Sequence, residues 1–266
     1  MAIINGVGRV GIRVTSGGSS GGGTDADAQA FITAASITDA TQISAVNTLV
    51  TGLKSNGLWS KMKALYPMVG GNATAHSKNL INPSLYNLTF SSGWIHSSNG
   101  VTPNGTSAYA SLGFTQSEFM TSGSGHMSIY SRTASSSGNR YEMGNYGGAG
   151  YTTLQITDNI RGHINTTGLP FNTSNASGGK GFFIASRISS TNLIQSKNST
   201  QYSATSSEAV SSGNIVIGAV GTISTPQFYS DKQYALASIG LGLSSSEMTI
   251  YNTIVQQYQT TLGRNV

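Results

Sequence analysis

From about Gly70 onward the chain is a run of short alternating segments cut apart by turn residues, and no other feature narrows the fold as far. Met127 and Ile129 alternate with Ser128 and Tyr130, and Leu154 and Ile156 with Thr153, Gln155 and Thr157. Ile160, Gly162 and Ile164 share a face in a further segment, and Phe182, Ile184 and Ile188 in another. Ile215, Ile217 and Ala219 continue the series, as do Tyr234 and Leu236 before Ile239 and Leu241. Between them lie Ser/Gly/Asn clusters such as Ser135 to Asn139 and Asn172 to Gly179, which supply turn chemistry. Strand side chains alternate between two faces, so each segment offers one face to a core. Many such segments in a row predict a mainly β fold, an antiparallel sandwich or jelly roll, and not alternating parallel units.

At both ends the period becomes helical. Thr24 can cap a first helix with Asp27 three positions on, and Ala28, Phe31, Ile32 and Ala35 then share a face. A second start follows at Thr38, where Ile43, Val46, Val50 and Leu53 repeat until Asn56 and Gly57 offer a left-handed stop. Leu58, Met62 and Leu65 extend the helical spacing to Pro67, so Thr24 to Tyr66 reads as two or three short amphipathic helices. At the other end Ser244 and Glu247 form a Ser-x-x-Glu capping box, and Met248, Tyr251, Val255, Tyr258 and Leu262 make an apolar stripe. That stripe suits a cover over the sandwich edge or an a/d seam in a trimer, and two heptads are too short to decide.

Residues 1–14 read MAIINGVGRVGIRV, and SGGSSGGG from Ser16 to Gly23 follows. An alternating segment too short to fold alone, held on a flexible spacer, can complete its backbone hydrogen bonds on the sheet edge of another subunit. Ile3, Ile4, Val7, Val10, Ile12 and Val14 are its apolar docking residues, while Arg9 and Arg13 suit carboxylates on the partner. The alternative is a first strand of the protein's own sheet. The organisation is then residues 1–14 docking peptide, 15–23 linker, 24–69 helical neck, and 70–266 sandwich with a C-terminal helix. Gly6-x-Gly8-x-x-Gly11 copies a dinucleotide fingerprint in letters only, because no strand precedes it and no helix follows. The same glycines and arginines interrupt any signal-peptide core, which points to a chain made in a cytoplasm.

Only 9% of residues are charged, against roughly 25% in ordinary soluble proteins, so the surface must be neutral and hydrogen-bonding. The net charge of +5 is scattered thinly, which excludes a nucleic-acid groove. No stretch approaches the roughly 20 apolar residues that insert into a bilayer. The nine acids include no close pair in the body, so neither a calcium cluster nor a Glu-x-Asp-x-x-Glu catalytic run is present; no metal and no cofactor are expected. Glu142, the one acid in an aromatic strand-like setting, is expected to pair with Arg132 or Arg140. Trp94, Tyr141, Tyr146 and Tyr151 are the candidate glycan-binding rings, since sugars stack their apolar faces on aromatics; cross-strand packing is their other reading.

The blocks NGVTPNGTSAYASL, HMSIYSRT, GFFIASRISSTN, NIVIGAVG and YALASIGLGLSSSEMTIYNTIVQQYQTTLGR resemble, in order, the strands and closing helix of concanavalin A-like lectin sandwiches of the laminin-G type. Together with the helical segment DADAQAFITAASITDATQISAVNTLVTGLKSNGLWSKMKALYPMVGG, the arrangement resembles virion structural proteins of tailed bacteriophages, particularly those infecting Bacteroidetes. The resemblance spans about Asp25 to Arg264. It implies a concanavalin A-like jelly roll in a non-enzymatic head-fibre, decoration or tail-associated protein. Such a protein would be made in the host bacterium, anchored to capsid or tail proteins by its N-terminus, and displayed as a homotrimer in the virion. The alternatives are a receptor-binding module for a host-surface glycan and, behind it, a polysaccharide hydrolase.

Overall fold

The computed structural model describes residues 23–266 apart from 119, 121–122, 135–137, 148, 158, 172, 175–177, 212 and 222–224. The docking residues Ile3, Ile4, Val7, Arg9, Val10, Ile12, Arg13 and Val14 lie outside the described residues. Two sheets of antiparallel strand pairs form the expected sandwich. In spatial order the first contains β13 (Thr200–Thr205), β12 (Asn192–Lys197), β11 (Gly181–Arg187), β6 (Gly125–Ser131), β15 (Tyr234–Gly240), β4 (Gly100–Pro103) and β3 (Trp94–Ser97), with β1 (Met62–Tyr66) also paired to β15. The second runs β10 (Thr173–Ser174), β9 (Asn159–Thr166), β8 (Gly150–Ile156), β7 (Met143–Gly147), β14 (Asn214–Ile217), β5 (Ala110–Thr115) and β2 (Thr89–Phe90). The chain changes sheet between β1 and β2, β2 and β3, β4 and β5, β5 and β6, β6 and β7, β10 and β11, β13 and β14, and β14 and β15, which interleaves the two layers as a jelly roll does.

Met127, Ile129, Phe183, Ala237 and Ile239 of the first sheet meet Leu112, Met143, Leu154, Ile164 and Ile217 of the second. The opposite face of the first sheet is covered by α1 (Ala26–Ala34), α2 (Ala40–Ser55) and α4 (Ser245–Thr261); α3 (Ala73–Ser77) is a single short turn of helix. Tyr130, Phe182, Ile184 and Leu236 point into this helical layer and share a core with Phe31, Val50, Tyr251 and Val255. Because β6, β11 and β15 are buried on both faces, they read as nearly continuous apolar and small residues. The stripe Met248, Tyr251, Val255 and Tyr258 is therefore consumed inside the chain, on a sheet face and not at the sandwich edge, and offers no trimer seam.

Helix starts are set by carboxylates one residue beyond the expected threonines. Asp25 accepts from the Asp27 amide and Asp39 from the Gln42 amide, because an aspartate at these positions satisfies an orphan N–H and suits the positive end of the helix dipole. Gly57, at φ 70°, supplies the left-handed stop after α2. The Ser244–Glu247 capping box forms in both directions.

Met62–Tyr66 is a strand and not the continuation of a helix. In a regular strand residues three apart face opposite ways, but the β1–β15 register shifts between Met62 and Ala64, so Met62 and Leu65 both reach the helical layer while Ala64 and Tyr66 face the second sheet. The bulge counterfeits a helical i, i+3 spacing. A like shift in β15 puts Tyr234 and Leu236 on opposite sides, where simple alternation places them together. Ile188 falls just past the end of β11 and is exposed, apart from the buried face of Phe182 and Ile184.

Two guanidinium groups are buried in the body. Arg264, just after α4, donates Nη1 to the Met68 carbonyl at 2.7 Å and Nη2 to those of Ala235 at 3.0 Å and Pro67 at 3.2 Å, fastening the C-terminal helix to the ends of β1 and β15. Arg187, at the end of β11, reaches across the sandwich to the carbonyls of Ile164 (2.7 Å) and Asn165 (2.9 Å) in β9.

Candidate functional site

The β7–β8 hairpin carries Tyr146 and Tyr151 as a directly opposed pair. Their rings stack at a centroid separation of 5.0 Å and an interplanar angle of 22°, the cross-strand aromatic contact that a pleated surface favours. A hydrogen bond donated to its neighbour Tyr146 holds the Tyr151 phenol above its ordinary pKa. The hairpin sits tight against the loop before β14: a Cβ on Gly150 would come within 1.8 Å of the Ala209 carbonyl, so only glycine fits there. The backbone amide of Tyr146 donates to the Gly221 carbonyl at 2.6 Å.

The Tyr146–Tyr151 pair borders a pocket of about 250 Å³. Tyr141 and Phe228 form a second aromatic wall, their centroids 5.8 Å apart, joined by a hydrogen bond from the Tyr141 amide to the Phe228 carbonyl. Phe228 has φ 54°, a left-handed conformation that costs a bulky residue of order 1–3 kcal/mol and is held only where its surroundings impose it. Leu169 and Val220 complete the apolar lining. Tyr146, Leu169 and Phe228 remain 47%, 56% and 41% exposed, leaving an apolar rim in contact with water.

Polar groups enter from below and from one side. Thr153 is 2% exposed, and its hydroxyl meets His163 Nδ1 at 3.1 Å. Burial, helped by the nearby Arg161, lowers the His163 pKa to about 4, so this imidazole is neutral at pH 7. Asn139 Oδ1 accepts from Gln155 Nε2 at 2.5 Å, and Gln155 Oε1 accepts from Arg161 Nη1 at 3.0 Å. This chain orients the Asn139 amide at the pocket's edge.

Glu142 pairs with Lys232, correcting the expectation of Arg132 or Arg140. Its Oε1 lies 2.7 Å from Lys232 Nζ, its Oε2 accepts from the Ile156 amide at 2.6 Å, and both side chains are fully buried. Burial pushes the Glu142 carboxyl up from its usual range, and the lysine works against that shift. Arg140 instead lies 3.4 Å from Asp231, and Arg132 donates to Gln233 and to the Arg264 carbonyl. Glu142 follows Tyr141 and Lys232 is four residues past Phe228, so the ion pair ties together the backbones carrying the second aromatic wall.

Three of the four candidate rings, Tyr141, Tyr146 and Tyr151, thus meet in one pocket. Trp94 does not join them. It packs edge-to-face on Phe90 at 5.2 Å, donates Nε1 to the Tyr109 carbonyl at 3.2 Å, and closes over Gly218, where a Cβ would come within 2.9 Å of its ring. Leu169, Val220 and Phe228 carry no sequence signal of a site, since each lies in a connection between strands. His76 and His96 meet through their Nδ1 atoms at 3.0 Å, away from the pocket. Among the described residues no group of three His, Asp or Glu could hold a metal, and no helix is long and apolar enough to cross a membrane.

No family model and no curated protein sequence matches the chain. Among solved structures it is similar to a mutant of Trypanosoma rangeli sialidase displaying trans-sialidase activity, with TM-score 0.49 and 10% identity over 83% of this chain and 39% of that one. The binding domain of botulinum neurotoxin serotype D gives TM-score 0.48 and 13% identity over 74% of this chain and 52% of that one. Domain 4 of an extracellular arabinanase from Geobacillus stearothermophilus, in complex with arabinotriose, gives 0.38 and 12% over 72% and 98%. The chain thus spans about half or less of the first two. At that level of likeness neither ligand nor activity transfers.

Proposed function

We propose that the protein is a lectin-like binding module that holds a saccharide in the aromatic pocket on its second sheet. The observation that carries this reading is the stacked Tyr146–Tyr151 pair facing solvent beside Tyr141 and Phe228. Rings of this kind take the apolar face of a sugar, while an oriented amide and hydroxyls fix its polar edge. Tyr146→Ala removes half the platform from an exposed position and should weaken glycan binding at least about tenfold while lowering the melting temperature by no more than about 4 °C. A broad glycan array probed at high valency, with no binding to any glycan, would sink the reading. The hydrolase alternative needs Glu142 as its acid, and Glu142 is sealed behind the pocket in an ion pair.

A second reading concerns attachment, and rests on the alternating apolar and arginine pattern of residues 1–14 ahead of the Gly/Ser spacer. In it the module is a non-enzymatic phage virion protein, docked on capsid or tail proteins through that peptide and displayed outward as a homotrimer. Deleting Met1 to Val14 should leave the melting temperature unchanged and abolish incorporation into particles. Normal incorporation overturns the docking role, and a misfolded product would make the segment a strand of the protein's own sheet.

A further inference from the structure

We infer that the aromatic pocket receives one uncharged sugar ring that presents a methyl group to Leu169, Val220 and Phe228. The inference rests on the saccharide reading above and adds the class of sugar. Size limits the occupant first: about 250 Å³ lies below the roughly 300–1,000 Å³ of pockets for drug-sized ligands, so one ring fits and further residues of a glycan must run outside. The Thr153 floor, backed by buried His163, sets the depth.

Charge limits it next. The described lining residues include no Asp, Glu, Lys, Arg or His. Arg161 stands outside this lining with its Nη1 donated to Gln155, and the buried His163 stays neutral. A carboxylate or sulfate on the sugar would lose water there without touching a charged group of the described lining.

The aliphatic and Phe228 part of the lining decides the rest. Leu169, Val220 and Phe228 present side chains with no polar atom, so a hydroxyl turned toward them would give up its water and find no partner. A methyl group gains by the same burial. A 6-deoxy carbon or the methyl of an N-acetamido group would supply it.

The test is an NMR titration of the full chain with methyl glycosides of a 6-deoxyhexose, an N-acetylhexosamine, a plain hexose and a hexuronate, each repeated on Tyr146→Ala and on Leu169→Ser. One or both methyl-bearing sugars should bind about fourfold or more tighter than the hexose, the gain of one buried methyl. The hexuronate should bind at least about tenfold more weakly than the better of them, and which arm responds identifies the source of the methyl. Leu169→Ser, at an exposed position, should erase the preference, bringing the affinity of the methyl-bearing sugars down to that of the hexose on the same variant. Equal or tighter hexuronate binding, no methyl preference, or binding confined to longer glycans would overturn the inference; if that binding is still lost in Tyr146→Ala, the saccharide reading stands. No binding of any sugar here or on the array overturns both.

Discussion

Replacing Lys232 by methionine will lower the unfolding free energy by about 3–5 kcal/mol, because the variant keeps the Glu142 carboxyl in a fully buried place and takes away its cation. At roughly 2–4 °C per kcal/mol for a domain of this size, the melting temperature should fall by about 6–20 °C. The loss should shrink as the pH is lowered, since a Glu142 without its lysine can take up a proton and leave only a neutral group to bury. Glu142→Leu combined with Lys232→Met should recover most of the stability, because two apolar side chains avoid the desolvation of two charges. Urea and thermal unfolding of the single and double variants measure this directly. A single variant within about 1 kcal/mol of the parent, or a double variant no better than the single, would show that the pair does not hold the fold in this way.

Acid will destabilise the protein through its histidines. In the unfolded chain an imidazole takes up its proton near pH 6.5. In the fold, burial lowers the pKa of His126 and of His163 to about 4, with the Leu241 carbonyl opposing the shift at His126 and Arg161 adding to it at His163. His76 is lowered further, to about 3, by burial and then by His96 and Arg264. Between those values and 6.5 the unfolded chain binds more protons than the native one. Stability is therefore fully present above about pH 6.5 and falls as the pH drops, by about 3 kcal/mol at pH 4 for each of His126 and His163. Glu142, whose carboxyl is raised, works in the opposite sense, so the clean measurement is a difference. In His126→Gln, the loss between pH 7 and pH 4 should be smaller than in the parent by about 3 kcal/mol. Parallel pH profiles for the two proteins would rule this out.

These two effects were not equally legible beforehand. The sandwich shows in the sequence because a period of two is a local property of each segment, and the helix after Ser244 shows because its capping box is four residues long. The strand at Met62–Tyr66 reads as helix because a bulge moves one residue to the other face. Of the site, the tyrosines stand out as aromatic residues in alternating segments, whereas Leu169 reaches the same pocket from the β9–β10 connection and Val220 and Phe228 from the β14–β15 connection. Lys232 is 90 positions from Glu142 and no local rule links them. The buried guanidinium groups of Arg187 and Arg264 are equally hidden, since their partners are backbone carbonyls and any sequence supplies those.

The helical layer has a practical consequence for anyone who would move this domain into another protein. The transplantable unit is bounded by what covers the first sheet, and α1 and α2 supply much of that cover beside α4. A fusion beginning at Gly70 would remove β1 along with both helices and expose Tyr130, Phe182 and Leu236 to solvent, a sticky surface that invites aggregation. One beginning at Gly23 carries its own lid.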